Sequence, residues 1–401
     1  MPCTEKGRIG RMFKKVGIIA IVLLLVVLGG AYYLVQHNSS NEPSSTENNN
    51  ESITITDLAG KTVKLKTPIE RIVLVRSRDI YELSALLGDE LPKKLIAWGP
   101  DIKTADKDAY DKFVEKYPEL KNLTEVGDIF KDAINPEQIM ALNPDLVIMD
   151  TFMIERGYKC VGKLQEAGLP LVFFDGSSDP LKSPQKSIAL LGKILGKEKK
   201  AREIVEYVDG QINTVYAQLS KINKPMPSVY LETGNQGPST FSNTYGSYGE
   251  PKAYSSWGSI LQHCKVKNIA DGVVKNMAPI NPEYVLKANP DIIIISGAYW
   301  PTPSNTMRLG YYAKENESKS LLSGFQNRPG WDTLSAVKNK KVYSLFHGFT
   351  MHIFDFAGLQ GVVKYCYPEE FKDLNPEKNL KEFHEKFLPI KYDGTWMVSV
   401  E

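Results

Sequence analysis

The stretch Ile134–Met149, INPEQIMALNPDLVIM, recurs in closely similar form at Ile280–Ile295, INPEYVLKANPDIIII. In each copy an asparagine stands where it can cap a helix, and a proline takes the first helical position. The second proline of each copy predicts the end of that helix, and a buried strand follows at once. The two phrases therefore predict the same helix–strand unit at equivalent places in two similar lobes.

Around these phrases, short apolar runs alternate with longer amphipathic runs from Ile53 onward. Strands are predicted at the apolar runs Arg71–Val75, Lys94–Trp98, Asp145–Met149, Leu171–Asp175, Ser228–Thr233, Asp291–Ser296 and Lys341–Phe346. Such alternation predicts an α/β fold in which central, mostly parallel sheets are flanked by helices.

One long segment separates the two groups of strands. Helical spacing runs from Ser183 to Ile222 without an internal proline after Pro184, which predicts one long helix that joins the lobes. A break at Gly196, giving two helices, is the alternative. The chain thus divides into an N-terminal lobe at 53–182, a linking helix at 183–224 and a C-terminal lobe at 225–401, with a ligand cleft between the lobes.

The N-terminus indicates export. A basic segment precedes the uncharged run Val16–Val35, whose length suits a membrane-spanning helix with its basic end inside. We expect residues 1–36 to form a cytoplasmic basic tail and a transmembrane anchor, and residues 37–52 a flexible linker. A cleaved signal peptide with its small-residue site at 29–31 is the alternative. Either reading places the rest of the chain outside the cytoplasm.

Composition excludes several classes of protein. The net charge is only +2, and no dense basic run lies beyond the N-terminus, which argues against a nucleic-acid partner. The four cysteines include no C-x-x-C pair, so free buried thiols are favoured over a Cys264–Cys366 disulfide. Glycosylation sequons stand at Asn38, Asn50, Asn122 and Asn316, which is compatible with export.

Ligand candidates lie where strands end, because ligands of open α/β sheets bind beyond the carboxyl ends of the strands. Arg76 and Arg78 follow the first buried strand, and Arg308 is a weaker third candidate. The guanidinium fork suits carboxylate or phosphate groups, so we expect an anionic ligand. For Arg76 and Arg78, a solvated loop edge or an ion pair with Asp79 is the alternative role.

Aromatic and polar side chains follow the other strands. The candidate ligand residues among them are Trp98, Thr151, Phe152, Tyr245, Tyr248, Tyr299 and Trp300. The three tyrosines and Trp300 fit a site that grips a large, partly aromatic ligand, and a core or rim role is the alternative for each. His347 and His352 are predicted to hydrogen-bond a ligand or loop, since their spacing matches no metal motif. No resident metal, cofactor or catalytic residue is expected.

The whole arrangement resembles the substrate-binding proteins of metal-chelate ABC importers over Ile53 to about Pro389. The exported N-terminus, the two similar lobes, the long linking helix and the doubled phrase carry this resemblance. It implies a monomer that captures a metal chelate and hands it to a permease dimer with a cytoplasmic ATPase. The paired arginines favour a ferric siderophore, with cobalamin or haem as alternatives.

Each phrase also holds a glutamate, Glu137 or Glu283, in the first helical turn. There the helix dipole stabilises a carboxylate by about 0.3–1 kcal/mol, which is reason enough for its presence. The resemblance implies a second role, because in that family a glutamate on each lobe meets arginines of the permease. An exported metal-cofactor enzyme or chelatase is the rival class, but no G-x-S-x-G, Walker or dinucleotide motif supports it.

Overall fold

The computed structural model describes residues 51–176, 178–247 and 256–400. The predictions for Val16–Val35, the anchor and the signal peptide therefore lie outside the described residues, as does most of the linker at 37–52. Within the described part of the chain, no helix has both the length and the apolar character needed to cross a membrane.

The described strands form a hairpin and two larger sheets. They are β1 Ser52–Thr56, β2 Thr62–Lys66, β3 Ile72–Leu74, β4 Leu95–Trp98, β5 Thr124–Glu125, β6 Leu146–Asp150, β7 Leu171–Phe174, β8 Ser228–Thr233, β9 Asn243–Tyr245, β10 Lys267–Asn268, β11 Met277–Pro279, β12 Ile292–Gly297, β13 Val342–Phe346 and β14 Met397–Ser399.

The described α-helices flank these sheets or lie between them in sequence. They are α1 Ile80–Leu87, α2 Leu91–Lys94, α3 Asp101–Ala105, α4 Lys107–Lys116, α5 Pro136–Ala141, α6 Phe152–Glu155, α7 Lys159–Glu166, α8 Ser183–Ile194, α9 Glu198–Leu219, α10 Ser256–Gln262, α11 Pro282–Ala288, α12 Glu315–Gln326, α13 Ser335–Lys338, α14 Phe356–Cys366 and α15 Pro376–Phe387.

The N-terminal lobe contains a five-stranded sheet in the order β5–β4–β3–β6–β7, and every pairing in it is parallel. Its central strands β3 and β6 are buried along their whole length, as expected for parallel strands covered on both faces. The β1–β2 hairpin attaches to the edge strand β7, where the Phe173 N–H donates to Asp57 Oδ2 at 3.2 Å.

The C-terminal lobe contains a seven-stranded mixed sheet in the order β11–β9–β8–β12–β13–β14, with β10 also paired to β8. The central strands β8, β12 and β13 run parallel, whereas β9, β11 and β14 pair antiparallel at the margins. The two sheets confirm the expected α/β fold with two similar lobes and mostly parallel centres.

The doubled phrase forms the predicted helix–strand unit in both lobes. The Asn135 side chain accepts from Gln138 N at 3.0 Å before α5, and Asn281 accepts from Glu283 N at 2.8 Å before α11. Each helix ends before the second proline, as predicted, and the asparagine preceding that proline has a left-handed φ near 45°. A left-handed asparagine is itself a helix stop.

The repeated aspartate of the phrase ties each new strand to its neighbour. Asp145 Oδ2 accepts from the backbone N–H of Arg71 at 2.9 Å, just before β3. Asp291 Oδ2 accepts from Ser228 N at 2.8 Å, at the start of β8. The same carboxylate therefore fixes the register of the central strand pair in each lobe.

The linking segment differs from the prediction of one continuous helix. It forms two helices, α8 and α9, rather than one continuous helix, and the break falls at Gly196. Gly196 has a φ of +64°, a left-handed conformation that ends a helix and favours glycine. At 22 residues, α9 extends over about 33 Å and packs against α14 of the C-terminal lobe.

A polar seam also joins the two lobes. Helix α4 of the N-terminal lobe presents residues 108, 112 and 115, which share one face because they are spaced by four and three positions. Each pairs with a residue of the C-terminal lobe, at Asp108–Arg308 (2.5 Å), Lys112–Asp393 (2.9 Å) and Glu115–Tyr312 (3.1 Å). The lobes are thus held together both by the two linking helices and by this seam.

The cysteines of the described residues carry free thiols. Cys160, Cys264 and Cys366 are all buried and unpaired in disulfides, which confirms the expectation of free buried thiols. Burial raises the pKa of the Cys160 thiol to about 11 and that of Cys264 well above its ordinary value. These thiols are therefore packing groups at neutral pH.

Candidate functional site

A cavity of about 230 Å³ lies between the lobes. Arg76 and Arg78 follow β3, Phe152 follows β6 and His347 follows β13, so strand ends of both sheets supply its walls. The described lining comprises Arg76, Arg78, Phe130, Phe152 and Arg156 from the N-terminal lobe, and Tyr245, Ser256, Met277, His347, Thr350 and Met351 from the C-terminal lobe.

Arg76 is fixed at the base of the cavity. Its Nη1 lies 2.9 Å from Asp150 Oδ2 and 3.1 Å from Asp79 Oδ1, and the side chain is 3% exposed. Gly176 leaves room for this guanidinium, because a Cβ on Gly176 would lie 2.2 Å from Nη1. The ion pair with Asp79, which the sequence left as an alternative to ligand contact, therefore exists, and Arg76 still lines the cavity.

Arg78 bridges the two walls. Its Nε lies 3.1 Å from Asp101 Oδ2, and its Nη1 donates to Met351 Sδ of the other lobe at 3.1 Å. Asp101 is itself held by the N–H and hydroxyl of Ser77 at 2.8 and 2.7 Å. A thioether sulfur is a weak acceptor, so an anion can replace it as the hydrogen-bond partner of Arg78 Nη1.

Aromatic rings and guanidinium groups alternate along the N-terminal wall. The Arg78 guanidinium lies 5.0 Å from the Phe130 ring centre, and that ring is stacked with Phe152 at 6.1 Å and 13°. The Arg156 guanidinium lies 5.3 Å from the Phe152 ring. We call Arg78, Phe130, Phe152 and Arg156 the arginine–phenylalanine wall.

The opposite wall carries no charge at neutral pH. His347 Nδ1 lies 3.0 Å from Ser296 Oγ, and burial, helped by Arg78, lowers the pKa of His347 to about 4. The Tyr245 hydroxyl lies 2.7 Å from Thr233 Oγ1, and burial raises the pKa of Tyr245 to about 12. The imidazole and the phenol are therefore both neutral.

The charge of the cavity is one-sided. Its described lining includes three arginines and no aspartate or glutamate, since the carboxylates that pair with Arg76 and Arg78 stand behind them. N–H donors thus converge on the space from one lobe, and neutral groups face them from the other. The arrangement suits an anionic ligand.

Comparison with known proteins settles the family. The profile of the periplasmic binding protein family matches residues 87–346, more than half of the chain. The chain belongs to this family. A solved TroA-like periplasmic binding protein, FepB from Veillonella parvula, is 40% identical with a TM-score of 0.81, and the match covers 87% of this chain and 100% of that one.

Two curated relatives of this periplasmic binding protein are more distant. The molybdate-binding protein MolA of Haemophilus influenzae is 21% identical over 361 residues, covering 84% of this chain and 91% of that protein. The ferric-anguibactin-binding protein FatB of Vibrio anguillarum is 26% identical over 196 residues, covering 47% and 55%. Both names describe binding proteins and not enzymes.

Buried carboxyl groups lie beneath Arg76 in the binding protein. Burial is the main cause that raises the pKa of Asp79 to about 7, that of Glu82 to about 8 and that of Asp355 well above its ordinary value. One oxygen of each has no hydrogen-bond partner among the described residues. The other oxygen of Glu82 accepts from Ile353 N of the C-terminal lobe at 2.9 Å.

Substituting Glu82 tests whether this carboxyl group stays protonated in the folded protein at neutral pH. Because its folded pKa lies above its ordinary value of 4.5, the wild-type protein should lose stability as pH rises from about 4.5 through 8. Glu82→Gln retains the acceptor for Ile353 and cannot ionise, so we expect it to be more stable than wild type at pH 9 by about 2 kcal/mol. Urea unfolding at pH 5, 7 and 9 measures the difference. The exposed Glu166→Gln is the matched control, and a Glu82→Gln curve parallel to wild type at every pH would contradict the assignment.

Trp98 does not line the cavity, contrary to expectation. It ends β4 but is fully buried, with the ring of Tyr110 at 6.0 Å. Thr151 is half-buried before α6, and its N–H donates to the Phe174 carbonyl at 2.8 Å, so it too is absent from the described lining. A strand-end position alone therefore does not determine which side chain meets the ligand.

His352 and Arg308 contact other parts of the fold. His352 is 1% exposed and packs on Tyr81 at 4.5 Å, and burial lowers its pKa well below the ordinary value. Arg308 is committed to Asp108 in the polar seam and lies 5.0 Å from the Tyr299 ring. Neither residue lines the described cavity.

Trp300 and Tyr299, two further aromatic candidates, are absent from the described lining of the cavity. Trp300 contacts the lining residue His347 edge-on, with ring centres 5.5 Å apart. Tyr299 is occupied by the Arg308 guanidinium. Tyr248 lies outside the described residues. Of the predicted ligand residues, the cavity brings together Arg76, Arg78, Phe152, Tyr245 and His347.

The two glutamates of the doubled phrase are exposed in the first turns of α5 and α11. Glu137 Oε1 lies 3.6 Å from Lys163 Nζ, a contact between two largely solvated side chains. Exposed ion pairs of this kind contribute little to stability. Both carboxylates are therefore accessible to a partner.

Proposed function

We propose that this protein captures an anionic metal chelate, most favourably a ferric siderophore, and delivers it to the permease of an ABC importer. The observation that carries the proposal is the one-sided cavity, whose described lining has three arginines and no carboxylate. Relatives named for ferric anguibactin and for haem uptake support the ligand class. Haem and cobalamin are the alternatives within the same family.

A chelate suits the site better than a bare metal cation. Among the described residues, no group of three or more His, Cys, Asp and Glu side chains could hold a metal ion. The described lining supplies one imidazole and positive guanidinium groups, which repel a free cation. A chelate brings its own metal ligands and presents an anionic surface to the arginines.

A bare oxyanion is the second candidate. The cavity of about 230 Å³ is smaller than the roughly 300–1,000 Å³ typical of small-molecule sites, which favours a compact ligand. MolA, named for molybdate, is a relative. A chelate requires the lobes to part at the Arg78–Met351 contact, which spans the cavity at 3.1 Å.

The exposed Glu137 and Glu283 complete the proposal. One lies on each lobe, so together they form a two-point surface for the basic groups of a permease dimer, which works with a cytoplasmic ATPase. We place the protein, as a monomer, on the extracytoplasmic face of the membrane, held by an anchor at Val16–Val35 or released after cleavage.

A ligand panel tests the proposal. Tryptophan fluorescence of the purified protein is titrated with ferric siderophores, haem, cobalamin and molybdate, and mass spectrometry checks that the ligand leaves unchanged. We expect a ferric chelate to bind with a Kd of about 1 μM or tighter, equivalent to about −8.2 kcal/mol. If no chelate binds with a Kd below about 100 μM, the proposal fails. Tight binding of molybdate alone would establish the second candidate.

A further inference from the structure

Two exposed apolar side chains face the cavity from opposite lobes. Phe130 is 45% exposed on the N-terminal side, and Met277 is 44% exposed on the C-terminal side. Of the large apolar side chains that are substantially exposed in the described chain, these two line the cavity. Small-molecule sites are lined mainly by apolar and aromatic side chains, so exposed apolar groups on a cavity wall are available to contact the ligand.

Phe130 is held in place rather than loose. It lies in the short 3₁₀ turn Ile129–Lys131, and its N–H donates to Asp128 Oδ1 at 2.9 Å. The ring stacks on Phe152 and meets the Arg78 guanidinium, so both its orientation and its distance from the charged groups are fixed. A fixed ring at the rim of a cavity is a ready platform for another ring.

Charge alone does not explain this platform. The three arginines attract any anion of suitable size, whether or not it carries rings. Phe130 and Met277 add nothing to that attraction, yet they stand exposed at a cost in hydration. An aryl group would cover both, because rings stack in offset geometry and a thioether packs well against a ring edge.

We propose that Phe130 and Met277 determine specificity, selecting anionic chelates that carry flat aryl groups. One aryl ring stacks on Phe130, Met277 covers it from the other lobe, and Arg78 binds the adjoining negative charge. This inference rests on the proposed function and narrows its ligand class. It also accounts for the alternation of guanidinium groups and rings in the arginine–phenylalanine wall.

Two ferric probes that share negative charge and differ in rings test the inference. Ferric tricatecholate carries aryl groups, and ferric citrate carries none. We expect wild type to bind the tricatecholate at least tenfold more tightly. Phe130→Leu, which retains apolar bulk without a ring face, should weaken tricatecholate binding about five- to tenfold and change citrate binding less than twofold. Met277→Ala should show the same selectivity with a smaller loss.

Controls separate specificity from general damage. Met226→Leu alters an exposed apolar side chain that does not line the cavity and should leave both affinities unchanged. Thermal unfolding shows that Phe130→Leu is folded. If Phe130 only positioned Arg78, Phe130→Leu would weaken the binding of both probes equally, and that result would overturn the inference.

The outcomes also separate this inference from the proposed function. Wild-type preference for ferric citrate, or binding of only ring-free chelates, overturns the aryl selection and leaves chelate capture intact. Binding of no chelate from the ligand panel overturns both. Selective loss of tricatecholate binding in Phe130→Leu supports both.

Discussion

Replacing Arg78 by glutamine is expected to weaken chelate binding about 100-fold, with little effect on folding. Arg78 spans both walls of the cavity, with Asp101 behind it and the Met351 sulfur in front. Removing a partly buried, hydrogen-bonded charge from a binding site costs about 2–5 kcal/mol of binding free energy. A loss of 100-fold corresponds to about 2.7 kcal/mol, near the lower end of that range.

The fold should tolerate this substitution. Asp101 Oδ1 retains its two bonds from Ser77, and Oδ2 retains the bond from the backbone N–H of position 78 at 3.4 Å, so neither oxygen is left without a partner. Arg78→Lys should recover part of the affinity, because it restores the charge without the planar fork. Arg71→Gln is the matched control, since Arg71 precedes the same strand at its opposite end and its side chain donates to the backbone carbonyls of Asn143 and Leu142 there. Calorimetric titration measures the chelate affinity of all three variants. An unchanged affinity in Arg78→Gln would show that Arg78 is not part of the binding site.

The double substitution Glu137→Ala with Glu283→Ala should lower uptake of the chelate by tenfold or more while ligand affinity stays unchanged. Each glutamate is exposed in a first helical turn, on a different lobe. Loss of its favourable dipole interaction costs below about 1 kcal/mol of stability, so the protein should remain folded. Loss of both charge contacts should weaken binding to the permease by more than the sum of small stability losses, because the two sites bind the same partner together.

The uptake experiment compares cells that carry the double variant with cells that carry Glu166→Ala and Glu369→Ala. These control glutamates are also exposed, one on each lobe, and lie outside the doubled phrase. Iron accumulation from the bound chelate is the readout, and calorimetry of the purified variants reports ligand affinity. Loss of ligand affinity in the double variant, or normal uptake with it, would contradict the docking role.

The doubled phrase made much of the fold predictable. Capping asparagines, first-turn prolines and apolar strands are local signals, and both copies form the predicted helix and strand. The break in the linking segment was harder to predict from the sequence, because helical spacing continues through Gly196. The left-handed backbone of this glycine shows that the first helix stops there. The repeated aspartate has a long-range partner in each lobe, which no local pattern reveals.

The site was predictable only in part, for a physical reason. Strand ends indicate the edge of a sheet at which a site lies, and Arg76, Arg78 and His347, which follow strands, line the cavity. They do not show which side chains at that edge are covered, so Trp98 proved to be core. Phe130, Arg156 and Met277 were missed because they stand on a short turn, after a one-turn helix and in a three-residue edge strand, where no periodicity marks a face.

Locating the metal tests the central claim most directly. Crystals of the protein grown with its ferric chelate are measured at the iron absorption edge, and the anomalous difference map gives the position of the ion without reference to the rest of the ligand. We predict one iron peak in the interlobe cavity, between Arg78 and His347, with ligand atoms rather than protein carboxylates around it. An iron peak on the protein surface, or one coordinated directly by protein carboxylates, would contradict capture of an anionic chelate in this cleft.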